Sequence, residues 1–201
     1  MEPPLATSHA GWGWFALVCY VPEPQKSCLD SLRQCIPGKS LPPAHITLLP
    51  PRPLSFSIDH ACHHVEVLAR GLSAFEAELS EVRCFENTDF LYMDVSAGNE
   101  SIRSIHAQLN AGELNHPETY EFRPHVTLGG PVPTGSLSAA QTQTADKWKT
   151  SGCPRLMRIE ELVCLWLDAA SGHGDWQRYR SVPLQQGRLP MAATVGIRNQ
   201  R

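Results

Sequence analysis

What the chain lacks narrows it first. Its longest unbroken apolar run is Trp14 to Val21, far short of the roughly 20 residues that span a bilayer, so neither a transmembrane helix nor a membrane partner is expected. Neither sign of charge dominates: 17 Lys and Arg stand against 20 Asp and Glu, a formal net charge of -3. A chain without basic excess is a poor match for long duplex nucleic acid. Its 14 glycines and 17 prolines in 201 residues fall below the roughly 25 to 30 % that marks low-complexity or fibrous sequences. No C-x-x-C pair occurs among the seven cysteines, at positions 19, 28, 35, 62, 84, 153 and 164. An odd number without paired spacing reads as reduced thiols and a cytoplasmic location. Export is not expected, since Glu2 and no Lys or Arg precede the apolar run and Pro22 follows it. No G-x-x-x-x-G-K-S/T loop is present to cradle a nucleoside triphosphate.

What is present suits a globular protein: 42 % hydrophobic and 18 % charged residues in a length that makes one domain, or two lobes sharing a core. Residues 1–13 and 185–201 show no period and read as loose tails. Between them, Trp14 to Val21 reads as a buried strand. Cys28, Leu29, Leu32, Cys35 and Ile36 recur at helical spacing until Pro37-Gly38 stops them. His45 to Leu48 is a short strand before a turn rich in proline (Pro50, Pro51, Pro53). Ala61, Cys62, Val65, Leu68, Ala69 and Leu72 mark a second helix, and from Phe75 apolar and polar residues alternate as in a strand. The order then repeats: strand Phe90 to Val95, a helix with Ile102, Ile105, His106 and Leu109 on one face, strand His125 to Leu128, a helix near Leu137 to Trp148, strand Met157 to Leu167. A last strand, Trp176 to Leu184, has no counterpart. We read an internal duplication, with lobes of roughly 14–85 and 86–184 between which strands are free to exchange. Two copies are too few for a solenoid.

The duplication carries a motif. His45-Ile46-Thr47-Leu48 and His125-Val126-Thr127-Leu128 share the pattern H-apolar-T-L at matching places, about 80 residues apart. From the His, Thr and Leu content, about 0.05 occurrences of H-x-T-L are expected by chance. On a strand, residues i and i+2 share a face, so each His stands beside its Thr while Ile46, Leu48, Val126 and Leu128 point into a core. If the lobes are related by a pseudo-two-fold axis, two imidazoles and two hydroxyls meet at one cleft. That set suits a phosphodiester. In-line displacement at phosphorus needs a base on the nucleophile and an acid on the departing oxygen, and two groups titrating near roughly pH 6.5 can hold those complementary states. The Thr hydroxyls can hydrogen-bond the non-bridging oxygens.

Paired H-x-T motifs in a duplicated chain of this length resemble the 2H phosphoesterase superfamily, in particular its 2'-5' RNA ligase-like and cyclic phosphodiesterase branch. The resemblance covers roughly residues 14–184 and includes Phe90 to Val95 and Phe122-Arg123-Pro124 ahead of the second motif. It implies an α+β fold of two antiparallel sheets flanked by helices around a central cleft, and a metal-independent enzyme without cofactors. The substrates it implies are nucleoside or RNA 2',3'-cyclic phosphates or 2'-5' linkages. By motif position it makes His45 and His125 catalytic and Thr47 and Thr127 phosphate-binding. Many members carry a basic residue just after the second motif, where this chain has Gly129-Gly130-Pro131, a departure that bears on substrate length or RNA-end binding.

Other residues have an ordinary reading beside a functional one. Tyr92, Phe122 and Trp14 could stack on a base, or simply pack in strands. Arg123 and Arg52 could pair with phosphate, or lie on the surface. His60 with His63 or His64 has the spacing of ligands on one helical face, or marks a solvated helix end. A metal held by His45 and His125 would need a third ligand, which neither motif offers. The functions left open are hydrolysis of a nucleotide or RNA terminus by a monomer, its reversal as 2'-5' ligation, and a binding module without turnover.

Overall fold

The computed structural model describes residues 13–38, 40–85, 88–168 and 175–186. In chain order these form β1 (Trp14–Tyr20), α1 (Gln25–Arg33), β2 (His45–Pro53), α2 (Ile58–Ala69), β3 (Phe75–Phe85), β4 (Phe90–Val95), α3 (Asn99–Leu109), β5 (His125–Gly129), α4 (Leu137–Thr150), β6 (Leu156–Ile159), β7 (Glu161–Leu167) and β8 (Gln177–Pro183). Most strands are built from alternating or continuous apolar residues, the mainly exposed β8 apart, and each helix buries one stripe, as α3 buries Ile102, Ile105, His106 and Leu109. Ser57 starts α2 as its N-cap, its hydroxyl accepting from the His60 N–H.

All strands join in the order β6-β3-β4-β5-β2-β1-β7-β8, with antiparallel pairing throughout. The motif strands β5 and β2 lie side by side at the centre, paired at Ile46 and Val126. Each closes four strands of the sheet, so the two halves meet where the motifs meet. The main core fills the helical side of the sheet, where Ile46, Leu48, Val126 and Leu128 are all fully buried. The opposite side carries a small apolar cluster, Ala16, Val18, Val163 and Leu165, with Tyr20 against it. That face is left open for a site.

Several sequence expectations change here. The prolines after the first motif do not form a turn: β2 runs through Pro50 and Pro51, pairing Arg52 with Phe15 and Pro53 with Trp14. Strand β5 is too short to flank this stretch, so one edge needs no N–H donors and tolerates proline. Met157 to Leu167 is two strands broken at Glu160, β6 pairing with β3 and β7 with β1. Strand β3, the end of the first repeat in sequence, pairs with β4 and β6, whereas β7 and β8 complete the sheet around β1. Gln185, assigned to the C-terminal tail, exchanges backbone hydrogen bonds with Leu72 and Ala74. The rest of that tail from 187, and residues 1–12, lie outside the described residues.

The reading of uniformly reduced thiols is corrected at one pair. Cys28 on α1 and Cys153 just after α4 form a disulfide across 125 residues of sequence, which their spacing could not show because α1 and α4 become neighbours only in the folded chain. Among the described residues no helix is long and apolar enough to cross a membrane.

Candidate active site

The site is built from the central pair of strands. With Ile46 opposite Val126, antiparallel alternation sets His45 opposite Thr127 and Thr47 opposite His125. Partners across a ladder point to the same side, so all four side chains leave the open face, and the two histidines stand on a diagonal of about 7 to 8 Å.

The rings are oriented alike. Nδ1 of His45 lies 2.7 Å from the carbonyl oxygen of Pro43, and Nδ1 of His125 lies 2.7 Å from that of Arg123. In both cases the acceptor is two residues upstream and Nδ1 donates, which leaves Nε2 as the atom available for proton transfer. Burial, the larger influence, pushes both imidazoles below the ordinary histidine pKa, and the carbonyl contacts oppose it. Their charged neighbours differ. Arg33 pushes His45 down further, whereas His125 feels His45 and Arg123 pushing down and the Asp94 carboxylate pushing up. Asp94 is the cross-strand partner of His125. The corresponding partner of His45 is Tyr20, whose ring meets the imidazole edge-on at 6.1 Å.

A cleft of about 900 Å³ opens beside these residues, lined by Thr47, His125, Thr127, Phe85, Tyr120 and Arg123 among others. His45 flanks it from across the strand pair. Tyr92, a candidate for base stacking, is 1 % exposed and lies beneath the cleft, its ring stacked on Phe85 at 4.1 Å and edge-on to His125 at 5.5 Å. Arg123 donates from Nη1 to the Tyr92 hydroxyl at 2.6 Å, which anchors one end of a guanidinium that lines the cleft. Phe122 stacks flat on His106 at 3.7 Å, and Trp14 stands at the far end of β1, away from the motifs.

Arg52 is not a surface residue. At 1 % exposure it donates to the carbonyls of Pro50 and Leu114, to Asn110 Oδ1 and to Glu118. Glu118 also faces His106 Nε2 at 3.5 Å, while His106 Nδ1 meets the Leu48 carbonyl at 2.8 Å. This buried cluster fixes the wall of the cleft from residue 116 to 122. Sequence reasoning missed it, as it missed Arg33 on α1, which donates to the carbonyls of Pro42 and Thr127 and so ties β5 to the loop leading into β2. The apolar-face position of His106 was the only signal.

The glycines after the second motif have a packing cause. A Cβ on Gly129 would fall 2.5 Å from the Ile36 side chain, and Gly130, at φ +140°, would bring one to 2.8 Å from Phe90 Cα. A basic residue does not fit there without displacing Ile36, which follows α1, or the start of β4.

Paired motifs on adjacent central strands, with a nucleotide-sized cleft beside them, define a two-histidine phosphoesterase fold. The profile of the 2'-5' RNA ligase superfamily matches residues 21–170, and the chain belongs to that family of 2H phosphoesterases. Among solved structures, TT0787 of Thermus thermophilus superposes with a TM-score of 0.63 at 17 % identity, covering 87 % of this chain and 99 % of that one. E. coli LigT complexed with 3'-AMP gives 0.60 at 12 % identity, over 87 % of this chain and 99 % of that one. Usb1 of Kluyveromyces marxianus gives 0.58 at 12 % identity, over 86 % and 98 %. At these identities the likeness is one of fold. No curated protein sequence matches the chain.

Proposed function

We propose that the chain hydrolyses nucleoside or RNA 2',3'-cyclic phosphates, or a related 2'-5' linkage, by general acid–base catalysis with His45 and His125 in one two-lobed unit. The observation that carries this reading is the matched pair of Nδ1 contacts to Pro43 and Arg123, which presents two Nε2 atoms on the face shared by Thr47 and Thr127. In the reaction, one neutral imidazole takes a proton from water as the water oxygen bonds to phosphorus. The bond from phosphorus to one ribose oxygen breaks, and the other histidine, as imidazolium, gives that oxygen its proton. The Asp94 carboxylate beside His125, without an equivalent at His45, opposes the downward push that His45 and Arg123 exert on that imidazole. The Thr47 and Thr127 hydroxyls donate to the non-bridging oxygens, with Arg123 adding positive charge. A LigT structure with 3'-AMP is in keeping with a nucleotide ligand.

Purified protein incubated in EDTA with 2',3'-cyclic mononucleotides, and with a short RNA ending in a cyclic phosphate, tests the reading. Release of a single phosphomonoester isomer is the expected result. Binding without turnover would make the chain a nucleotide-holding module, and turnover lost on chelation would remove the two-histidine mechanism.

A further inference from the structure

We propose that His60, His64 and Glu113 form a binding site for a zinc-type divalent ion, outside the phosphoesterase cleft. Among the described residues these three alone gather ligand atoms in this way. His60 and His64 lie one turn apart on α2, and Glu113 comes from a separate 3-10 turn, Gly112–Leu114. Glu113 Oε2 is 2.7 Å from His60 Nε2 and 2.9 Å from His64 Nε2, and the two nitrogens are 3.1 Å apart.

Three ligands of one tetrahedral ion, each at about 2.0 to 2.1 Å from it, stand about 3.3 Å from one another. The observed triangle is slightly tighter and requires only a small outward movement of exposed side chains. Two ring nitrogens in such contact cannot both direct a hydrogen into the gap between them, whereas a metal ion satisfies all three lone pairs together. A carboxylate is ionised at neutral pH, so the oxygen donor is anionic. Phe56 packs edge-on against His60 at 5.0 Å and limits the rotation of that ring. Two imidazoles and a carboxylate match the donor preferences of Zn²⁺, and of Co²⁺ and Ni²⁺ among its neighbours. All three side chains are partly exposed, so the fourth position faces solvent.

Such an ion would clip α2 to the chain just before Leu114, whose carbonyl Arg52 holds, and before the 116–123 segment that walls the cleft. Its effect is therefore one of stiffening, and the proton transfers at His45 and His125 do not pass through it.

Full-length protein in a non-chelating buffer near pH 7.5 is titrated calorimetrically with ZnCl₂, and with CoCl₂ followed by its visible d–d absorption. One ion per chain, saturating at micromolar concentration, is expected. His60→Ala, His64→Ala and Glu113→Gln each weaken binding by about tenfold or more, while the double variant His45→Ala, His125→Ala leaves it unchanged. At a hundredfold excess over Kd, Zn²⁺ raises Tm by about 5 °C or more in wild type and not in the three variants, whose metal-free Tm values match wild type. The proposal is overturned by the absence of saturable binding below about 100 μM, or by any of the three variants binding within about threefold of wild type.

Discussion

Arg33 reaches from α1 to the backbone of the second motif, its Nη2 donating to the Thr127 carbonyl at 2.7 Å. Its Nη1 donates at 2.8 Å to Pro42, three residues before His45. One side chain thus ties β5 to the loop that leads into β2. Arg33→Met keeps the stem and removes both bonds. A fall of about tenfold in kcat with KM little changed is expected, together with a Tm lower by about 4 °C or more. A variant that loses stability while each folded molecule turns over at the wild-type rate would restrict Arg33 to holding the fold.

Under the proposed mechanism, His45→Ala and His125→Ala each remove one proton-transfer group from a concerted displacement. Each lowers kcat by roughly 10² to 10⁴ while nucleotide affinity changes far less. Single-turnover rates on a cyclic mononucleotide check this, and a variant within a few-fold of wild type would assign its histidine to structure.

Thr47→Val and Thr127→Val preserve strand shape and delete a hydroxyl. The expected loss is on the order of 10² in rate, with Tm nearly constant because both side chains stand on the open face. Equal damage to rate and Tm would mark the hydroxyl as part of the fold.

The pH profile follows from burial. Both imidazoles titrate below the ordinary value of about 6.5, so the bell of kcat/KM peaks on the acid side of that value, with limbs belonging to the pair. Asp94→Asn removes the carboxylate that raises His125 and moves one limb further toward acid, the limb that is absent in His125→Ala. A maximum above pH 8, or limbs indifferent to Asp94→Asn, contradicts the assignment. The same depression has a sign for stability. The unfolded chain binds these protons first, so their contribution is complete above about pH 6.5 and is lost as pH falls from there through the folded pKa values. Denaturant midpoints measured from pH 7 down to 5 record it.

How much of this was legible in the sequence depended on the range of the interaction. Apolar period gave the helices and most strands, since one face of each is buried locally, and β4 runs from Phe90 to Val95 as expected. The repeated H-x-T-L singled out four residues whose side chains share one face. Arg52 was misplaced because its partners Asn110, Leu114 and Glu118 lie about 60 residues away, and an arginine carries no periodic mark of burial. Glu113 was invisible as a companion to His60 and His64 for the same reason. The break at Glu160 between β6 and β7 left no Gly or Pro signal, because the chain there passes directly from one half of the sheet to the other.

The exchange of strands between the two halves also governs when the site can come into being. On the ribosome β1 and β2 emerge early, yet the other flank of β1 is covered only by β7, which begins at Glu161, and β8 must follow to finish that edge. Until then β2 has β1 and β5 as its neighbours, with β1 unpaired on its far side, while β3, β4, β5 and β6 have all been made by residue 159. The nascent chain therefore completes the half that carries His125 first, and the half that carries His45 only with β8. A chain cut short at residue 160 thus carries both motifs, with His125 on a finished four-strand half and His45 on a half that still lacks its outer two strands.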